Sequence, residues 1–258
     1  MEPVLVTVDN QVATLSLNRP SVYNSFNRDM ALALQNALDQ CKDDEEIRAV
    51  YLTGVGKAFC AGQDLQEVLG EDAPSLEVIL QQHLNPIIQK IRALQKPVVC
   101  AVNGVAAGAG ANIAIACDIT VASEKASFLQ AFVKIGLIPD SGGTYLLPRL
   151  IGWQRAAALM MLGEKISAKE AAQMGMIYKA FPTDTFEKEA RDIAERLAKL
   201  PTAAIGLTKR ALDYSFTNDL DKQLAIEEQL QTTAGLSSDY QEGVQAFVEK
   251  RKPVFTGK

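Results

Sequence analysis

Two short apolar runs, Ala49-Val50-Tyr51-Leu52-Thr53 and Val98-Val99-Cys100-Ala101-Val102, each follow a stretch in which apolar residues recur every three or four positions. Runs of this kind read as strands with both faces buried. Met30, Leu34, Leu38 and Cys41 give the helical spacing from Asn27 onward, ahead of the first run. A helix over residues 75–94, with a kink expected at Pro86, precedes the second run, and a third helix opens after Gly108. Strand and helix in alternation pair the strands in parallel through right-handed crossovers, which places the chain in the α/β class. Upstream, Val4, Val6 and Val8 and then Val12, Thr14 and Ser16 alternate about Asp9-Asn10 as a hairpin that opens the sheet. Beyond residue 144 the spacing reads as helices only, over 153–162, 168–174, 185–200, 202–214, 220–234 and 238–252. No Gly/Ser/Pro-rich linker and no repeat divides the 258 residues. Residues 1–200 therefore read as an α/β core and 201–258 as a helical region whose apolar stripes need cover, for which another subunit is one solution.

Charge and composition exclude several classes of function. With 26 Lys and Arg against 31 Asp and Glu, the net charge of −5 is the reverse of a phosphate-backbone binder, so no nucleic-acid partner is expected. The longest apolar runs fall short of the roughly 18 residues of a membrane span. Met1-Glu2-Pro3-Val4 lacks a basic leader into an apolar stretch, and a cytoplasmic location is expected. Cys41, Cys60, Cys100 and Cys117 form no C-x-x-C pair and share the chain with one histidine, so they read as buried thiols and no metal is expected. His83 lies beside the stripe Leu80, Leu84, Ile87, Ile91 and reads as a satisfied, half-buried histidine.

Three glycine-containing segments remain as candidates for chemistry. Residues 56–65, at the end of a central strand, form either an ordinary turn or one that presents backbone N–H groups to an anion. Residues 103–112 follow a buried strand and open a helix, whose first N–H groups are unpaired and carry the positive end of the helix dipole. The spacing of Gly104, Gly108 and Gly110 is not the G-x-G-x-x-G of a dinucleotide turn. In residues 134–144, Asp140-Ser141-Gly142-Gly143 is only a local match to a serine-protease loop, since the single histidine lies far upstream in a helix. Asp140 is either a turn residue or a carboxylate whose apolar surroundings fit it for a base.

Taken together and in this order, the segments resemble the crotonase (enoyl-CoA hydratase/isomerase) superfamily. The resemblance rests on Leu17-Asn18-Arg19-Pro20 with Asn24-Ser25, on Ala58 to Leu65, on Ala101 to Asp118, on Gly136 to Thr144, and on Glu242-Gly243 with Ala246 to Arg251. It covers essentially the whole chain. It implies a ββα spiral core with a C-terminal helical trimerisation region, an acyl-CoA thioester as substrate, and a homotrimer or hexamer. Coenzyme A would enter as part of the substrate, with no separate cofactor. The resemblance places the two N–H donors for the thioester oxygen on Gln63 and Ala109. It places Ser25, Ala61, Asp64, Leu65, Gly110, Asn112 and Phe132 among the substrate-binding residues, and it has Phe247 and Lys250 cap the coenzyme A of a neighbour.

The departures from the family pattern narrow the activity. Asn112 and Phe132 stand where hydratases carry two glutamates, and neither an amide nor a phenyl ring performs acid–base hydration. Asn85 stands where the related dehalogenases have histidine. Asp140 remains, at a position that serves proton transfer in dienoyl-CoA isomerases. Val105 to Ala111 and Gly136 to Thr144, with Leu146-Leu147-Pro148-Arg149, are most similar to the ring-1,2-epoxyphenylacetyl-CoA isomerases of bacterial phenylacetate breakdown, which also shift Δ3 double bonds to Δ2. The expectation is an isomerase acting through a thioester enolate. A hydratase-type activity and a silent acyl-CoA-binding homologue are the alternatives.

Overall fold

The computed structural model describes residues 2–70 and 73–258. Its strands are β1 (Val4–Asp9), β2 (Val12–Leu17), β3 (Ala49–Gly54), β4 (Ala58–Cys60), β5 (Val98–Val102), β6 (Val105–Ala107), β7 (Ile119–Ser123), β8 (Ser127–Leu129), β9 (Lys165–Ser167) and β10 (Lys179–Phe181). Its helices are α1 (Arg28–Asp43), α2 (Leu76–Val78), α3 (Asn85–Ala93), α4 (Ala109–Ala116), α5 (Gly143–Ile151), α6 (Trp153–Leu162), α7 (Ala168–Gln173), α8 (Phe186–Ala198), α9 (Thr202–Ser215), α10 (Leu220–Gly235) and α11 (Ser238–Glu249).

The strands form a six-stranded sheet, β1-β2-β3-β5-β7-β10, and a four-stranded one, β4-β6-β8-β9. The expected hairpin is β1 against β2, from Val4 opposite Leu17 to Asp9 opposite Val12. Its turn is Asn10-Gln11, both with positive φ, which matches the twist of the flanking strands. From β2 onward the large sheet is parallel, as the alternation of strand and helix requires. Each of β3, β5 and β7 runs on into a short strand of the second sheet, so the unit that repeats is strand, strand, connection. Gly54 and Gly104 make these passages possible. A Cβ on Gly54 would lie 2.4 Å from the Ala58 carbonyl oxygen, and one on Gly104 would lie 2.0 Å from that of Lys57. This is the ββα spiral.

Apolar stripes fix the layers. Asn27 caps α1 by accepting from the Met30 N–H, and Met30, Leu34, Leu38 and Cys41 are buried against one face of the large sheet. On the other face α8 packs Phe186, Ala190, Ala194 and Ala198 against Tyr51, Val99 and Val121. The reading of helices only beyond residue 144 is corrected by β9, antiparallel to β8, and β10, parallel to β7. Each spans three residues with one buried, Ile166 or Phe181, too short for alternation to register. Residues 143–151 add α5, whose Pro148 lies within the helix.

The helical end is tied to the core rather than hung from it. On α9 the buried Lys209 ammonium donates to Asp118 Oδ2 (2.8 Å) and to the Ile91 carbonyl (2.6 Å). The buried Arg48 guanidinium donates to the carbonyls of Leu200 and Phe255. His83 is corrected too: it is buried, and its Nδ1 has no hydrogen-bond partner among the described residues. All four cysteines are buried and free, and burial pushes the Cys41 thiol up to about 11 and the Cys60 thiol up to about 12. No helix among the described residues is long and apolar enough to cross a membrane, and none of their His, Cys, Asp and Glu side chains cluster to hold a metal.

Candidate active site

β4 ends at Cys60, and the turn that follows is pinned from one side by Phe26. The Phe26 N–H donates to the Gly62 carbonyl (2.7 Å) and the Phe26 carbonyl accepts from the Asp64 N–H (2.8 Å). In such a parallel bridge the residue between, Gln63, turns its own N–H to the opposite side. Gly62 adopts φ +97°, and a Cβ there would lie 3.0 Å from the Ala107 carbonyl oxygen and 3.5 Å from the Ala109 nitrogen. The turn therefore lies directly against the start of α4. Gly108 precedes that helix with φ +53°, and Ala109 is its first residue, with an N–H that has no carbonyl upstream in the helix to meet. Two backbone donors, one from a turn and one from a helix N-terminus, are thus brought together. Such a pair suits a developing negative oxygen.

Asp140 is set by the loop that follows the helical turn Ala131–Ile135. Ser141 and Gly142 are both left-handed, φ 49° and 74°, and swing the chain into α5. The Asp140 carbonyl accepts from the Gly143 N–H (2.8 Å) and from Asn112 Nδ2 (2.8 Å). Its carboxylate accepts from the Ser141 hydroxyl at 2.8 Å. Burial raises the Asp140 pKa above the ordinary carboxylate range, and the Ser141 hydrogen bond opposes that rise. A half-buried carboxylate with a raised pKa is a competent proton carrier.

These groups share one cavity of about 1070 Å³, lined by Ala61, Gln63, Leu65, Ala109, Phe132 and Asp140 among others. Asn112 is fully buried and does not line it. Its amide is committed at both ends, donating to the Asp140 carbonyl and accepting from Gln130 Nε2 at 2.8 Å. A Cβ on Gly143 would lie 2.3 Å from Asn112 Nδ2, so α5 has come as close as a glycine allows. Asn112 is a brace for the Asp140 main chain and not a cavity wall. Three more of the expected substrate-binding residues also lie off the cavity lining. The Ser25 hydroxyl donates to the Val22 carbonyl. Asp64 pairs with Arg19 at 2.8 Å. Gly110 meets Cys60, where a Cβ would lie 2.5 Å from the carbonyl oxygen. Asp64 and Gly110 thus belong to the packing of the turn and of the helix that carry the donors, while Ser25 closes the loop ahead of Phe26. Phe247 and Lys250, at the end of α11, are exposed and are not part of this cavity.

Sequence reasoning missed Lys134, which with Asp140 supplies the ionisable groups of the described cavity wall. It also missed Gln130, whose buried Oε1 has no hydrogen-bond partner among the described residues. Ser141 was legible beside Asp140, but its hydrogen bond depends on the left-handed turn. Nothing in the spacing of residues 112 and 130 signals that the two amides meet.

A family model described as Enoyl-CoA hydratase/isomerase matches residues 7–258. The chain belongs to this family. Among its relatives, the 1,2-epoxyphenylacetyl-CoA isomerase of Escherichia coli K12 is 47% identical over 100% of both chains. A Rhodobacter capsulatus protein named "Probable enoyl-CoA hydratase" is 46% identical over 97% of this chain and 96% of its own. The crystal structure of an enoyl-CoA hydratase from Bacillus anthracis superposes with a TM-score of 0.92 at 36% identity, covering 99% of this chain and 100% of that one. Both activities in the family's name are acid–base reactions of acyl thioesters, so which of them a member performs turns on its titratable side chains.

Proposed function

We propose that this member of the enoyl-CoA hydratase/isomerase family is an acyl-CoA isomerase that acts through a thioester enolate. The observation that carries the reading is that one cavity is lined by both donor residues, Gln63 and Ala109, and by Asp140, which holds the one carboxylate among its described lining residues. In the proposed reaction Asp140 takes a proton from the carbon alpha to the thioester. The electron pair of that C–H bond moves onto the thioester oxygen, which the N–H groups of Gln63 and Ala109 hold. Collapse of the enolate returns the proton from Asp140 to another carbon, so a Δ3 double bond becomes Δ2 with no net oxidation and no cofactor beyond the substrate's own coenzyme A. Leu65 and Phe132 supply apolar wall that keeps water from quenching the enolate. The E. coli relative supports the finer reading, in which the physiological substrate is 1,2-epoxyphenylacetyl-CoA.

The test is to add a 3-enoyl-CoA and follow the absorbance of the conjugated thioester. A rise is expected. No rise with acyl-CoA binding retained would leave the silent acyl-CoA-binding reading in its place.

The proposal includes assembly by threes, as a cytoplasmic homotrimer or hexamer in which Phe247 and Lys250 cap a neighbour's coenzyme A. Phe247 is 85% exposed and Leu236 80%, and apolar exposure of that degree on α11 and just before it calls for a covering surface. Light scattering at micromolar concentration is expected to return three or six chain masses. A monodisperse monomer counts against it.

A further inference from the structure

The helical wall over residues 76–93 is not regular. Between α2 and α3 the segment Ile79–Leu84 is π-helical, and the Asn85 N–H donates to the Leu80 carbonyl, five residues back. Pro86 has no N–H with which to close on the carbonyls of Gln82 or Gln81, four and five residues earlier. The Gln82 carbonyl is met from another element instead. Gln35, on α1, donates from Nε2 to the carbonyl oxygens of Gln82 (2.8 Å) and His83 (3.0 Å). The wide turn has a consequence for the cavity, whose wall includes Leu80, Leu84 and Asn85. A bond five residues back stacks residue 85 over residue 80. In a regular helix of 3.6 residues per turn, five steps would carry it about 140° away. At the expected kink at Pro86 the structure shows a change of helical winding, across which Leu80, Leu84 and Asn85 share the cavity lining.

We propose that Gln35, which lies outside the cavity, is a positioning residue for acyl selectivity: by clamping the Gln82 and His83 carbonyls it holds the wide turn that keeps Leu80, Leu84 and Asn85 together on the wall. This rests on the reading that the cavity receives the acyl part of a thioester. The substrates affected are those whose acyl group extends beyond the reacting carbons, such as a ring or a long chain. A four-carbon acyl group, which ends near the thioester, is indifferent to the winding of this wall.

The experiment compares Gln35→Leu, which keeps the bulk and loses the donors, with Gln35→Lys, which restores donors to the same carbonyls. The quantity read is the ratio of kcat/KM for a phenyl-substituted 3-enoyl-CoA to that for the four-carbon 3-enoyl-CoA. Gln35→Leu is expected to lower this ratio about tenfold, the low end of discrimination by a hydrophobic pocket, and Gln35→Lys is expected to restore it. An unchanged ratio, or a fall that lysine does not restore, overturns the proposal. Competition calorimetry with saturated four-carbon and phenyl-substituted acyl-CoA reads the same selectivity without turnover. Loss of isomerisation in the unmodified protein would therefore count against the proposed reaction and leave the role of Gln35 to be decided by binding.

Discussion

Replacing Asp140 with asparagine is expected to lower kcat for isomerisation by about 10²–10⁴, the range lost when a positioned acid–base group is removed. The substitution keeps the side chain's shape, and an amide oxygen still accepts the Ser141 hydroxyl that lies 2.8 Å from the native carboxylate. The main-chain carbonyl that Asn112 and Gly143 hold is untouched. KM should therefore move little, because the lost interaction acts in the transition state. Exchange of the alpha proton with D₂O should vanish along with turnover. The pH profile carries an independent signature. The base works only when ionised, and burial raises its pKa, so activity should disappear as pH falls through a limb above the about 3.9 of a free aspartate. Ser141→Ala removes the hydrogen bond that opposes the rise, and the limb should move further up. Near-wild-type isomerisation and exchange in Asp140→Asn would mean that another residue is the base.

Hydration of crotonyl-CoA by the unmodified protein is expected to run at least about 10² below isomerisation, since the two positions that the resemblance matches to the hydratase glutamates hold Asn112 and Phe132. The structure makes the deficit deeper than the residue types alone suggest. Asn112 is a non-titrating side chain, and both ends of its amide are already taken by Asp140 and Gln130. Phe132 presents only a ring to the cavity. Installing glutamate at both positions would set a carboxylate at residue 112 against the Asp140 carbonyl, where the native group donates at 2.8 Å. Any hydratase activity gained that way should come with damage to isomerisation, and burying two carboxylates costs stability. Robust hydration by the unmodified chain, measured as loss of the conjugated thioester absorbance, would refute this account of residues 112 and 132.

Much of the large sheet was legible because its signal is local. Val4, Val6 and Val8 and then Val12, Thr14 and Ser16 mark two strands about a turn, although in β1 only Val4 is buried, and Val98–Val102 is a continuous apolar run. Strands β9 and β10 were not, since three residues with a single buried side chain carry no period. The π-helical turn was foreshadowed by Pro86, which announces a missing donor but not which element makes good the orphaned carbonyl. At the site, the glycine segments could be read from the conformations they permit. Ser25, Asp64, Gly110 and Asn112 sit in motifs that mark the family, yet Ser25, Asp64 and Asn112 hydrogen-bond to neighbouring backbone and Gly110 packs against it. Proximity in a motif does not say whether a side chain faces the cavity or the scaffold.

The two proposed donors leave adjacent strands. β4 pairs in parallel with β6, Cys60 opposite Ala106, and Gln63 and Ala109 each follow three residues later. Neighbouring strands lie about 4.8 Å apart whatever side chains they carry. The sheet thus sets the separation from which both segments start, and Gly62 and Gly108, with φ +97° and +53°, complete the approach in conformations that a side chain would strain. The N–H groups are main-chain groups whatever side chains residues 63 and 109 carry, although the buried Ala109 admits little added bulk, and chemistry can be exchanged elsewhere on the cavity lining while this fixture stays in place.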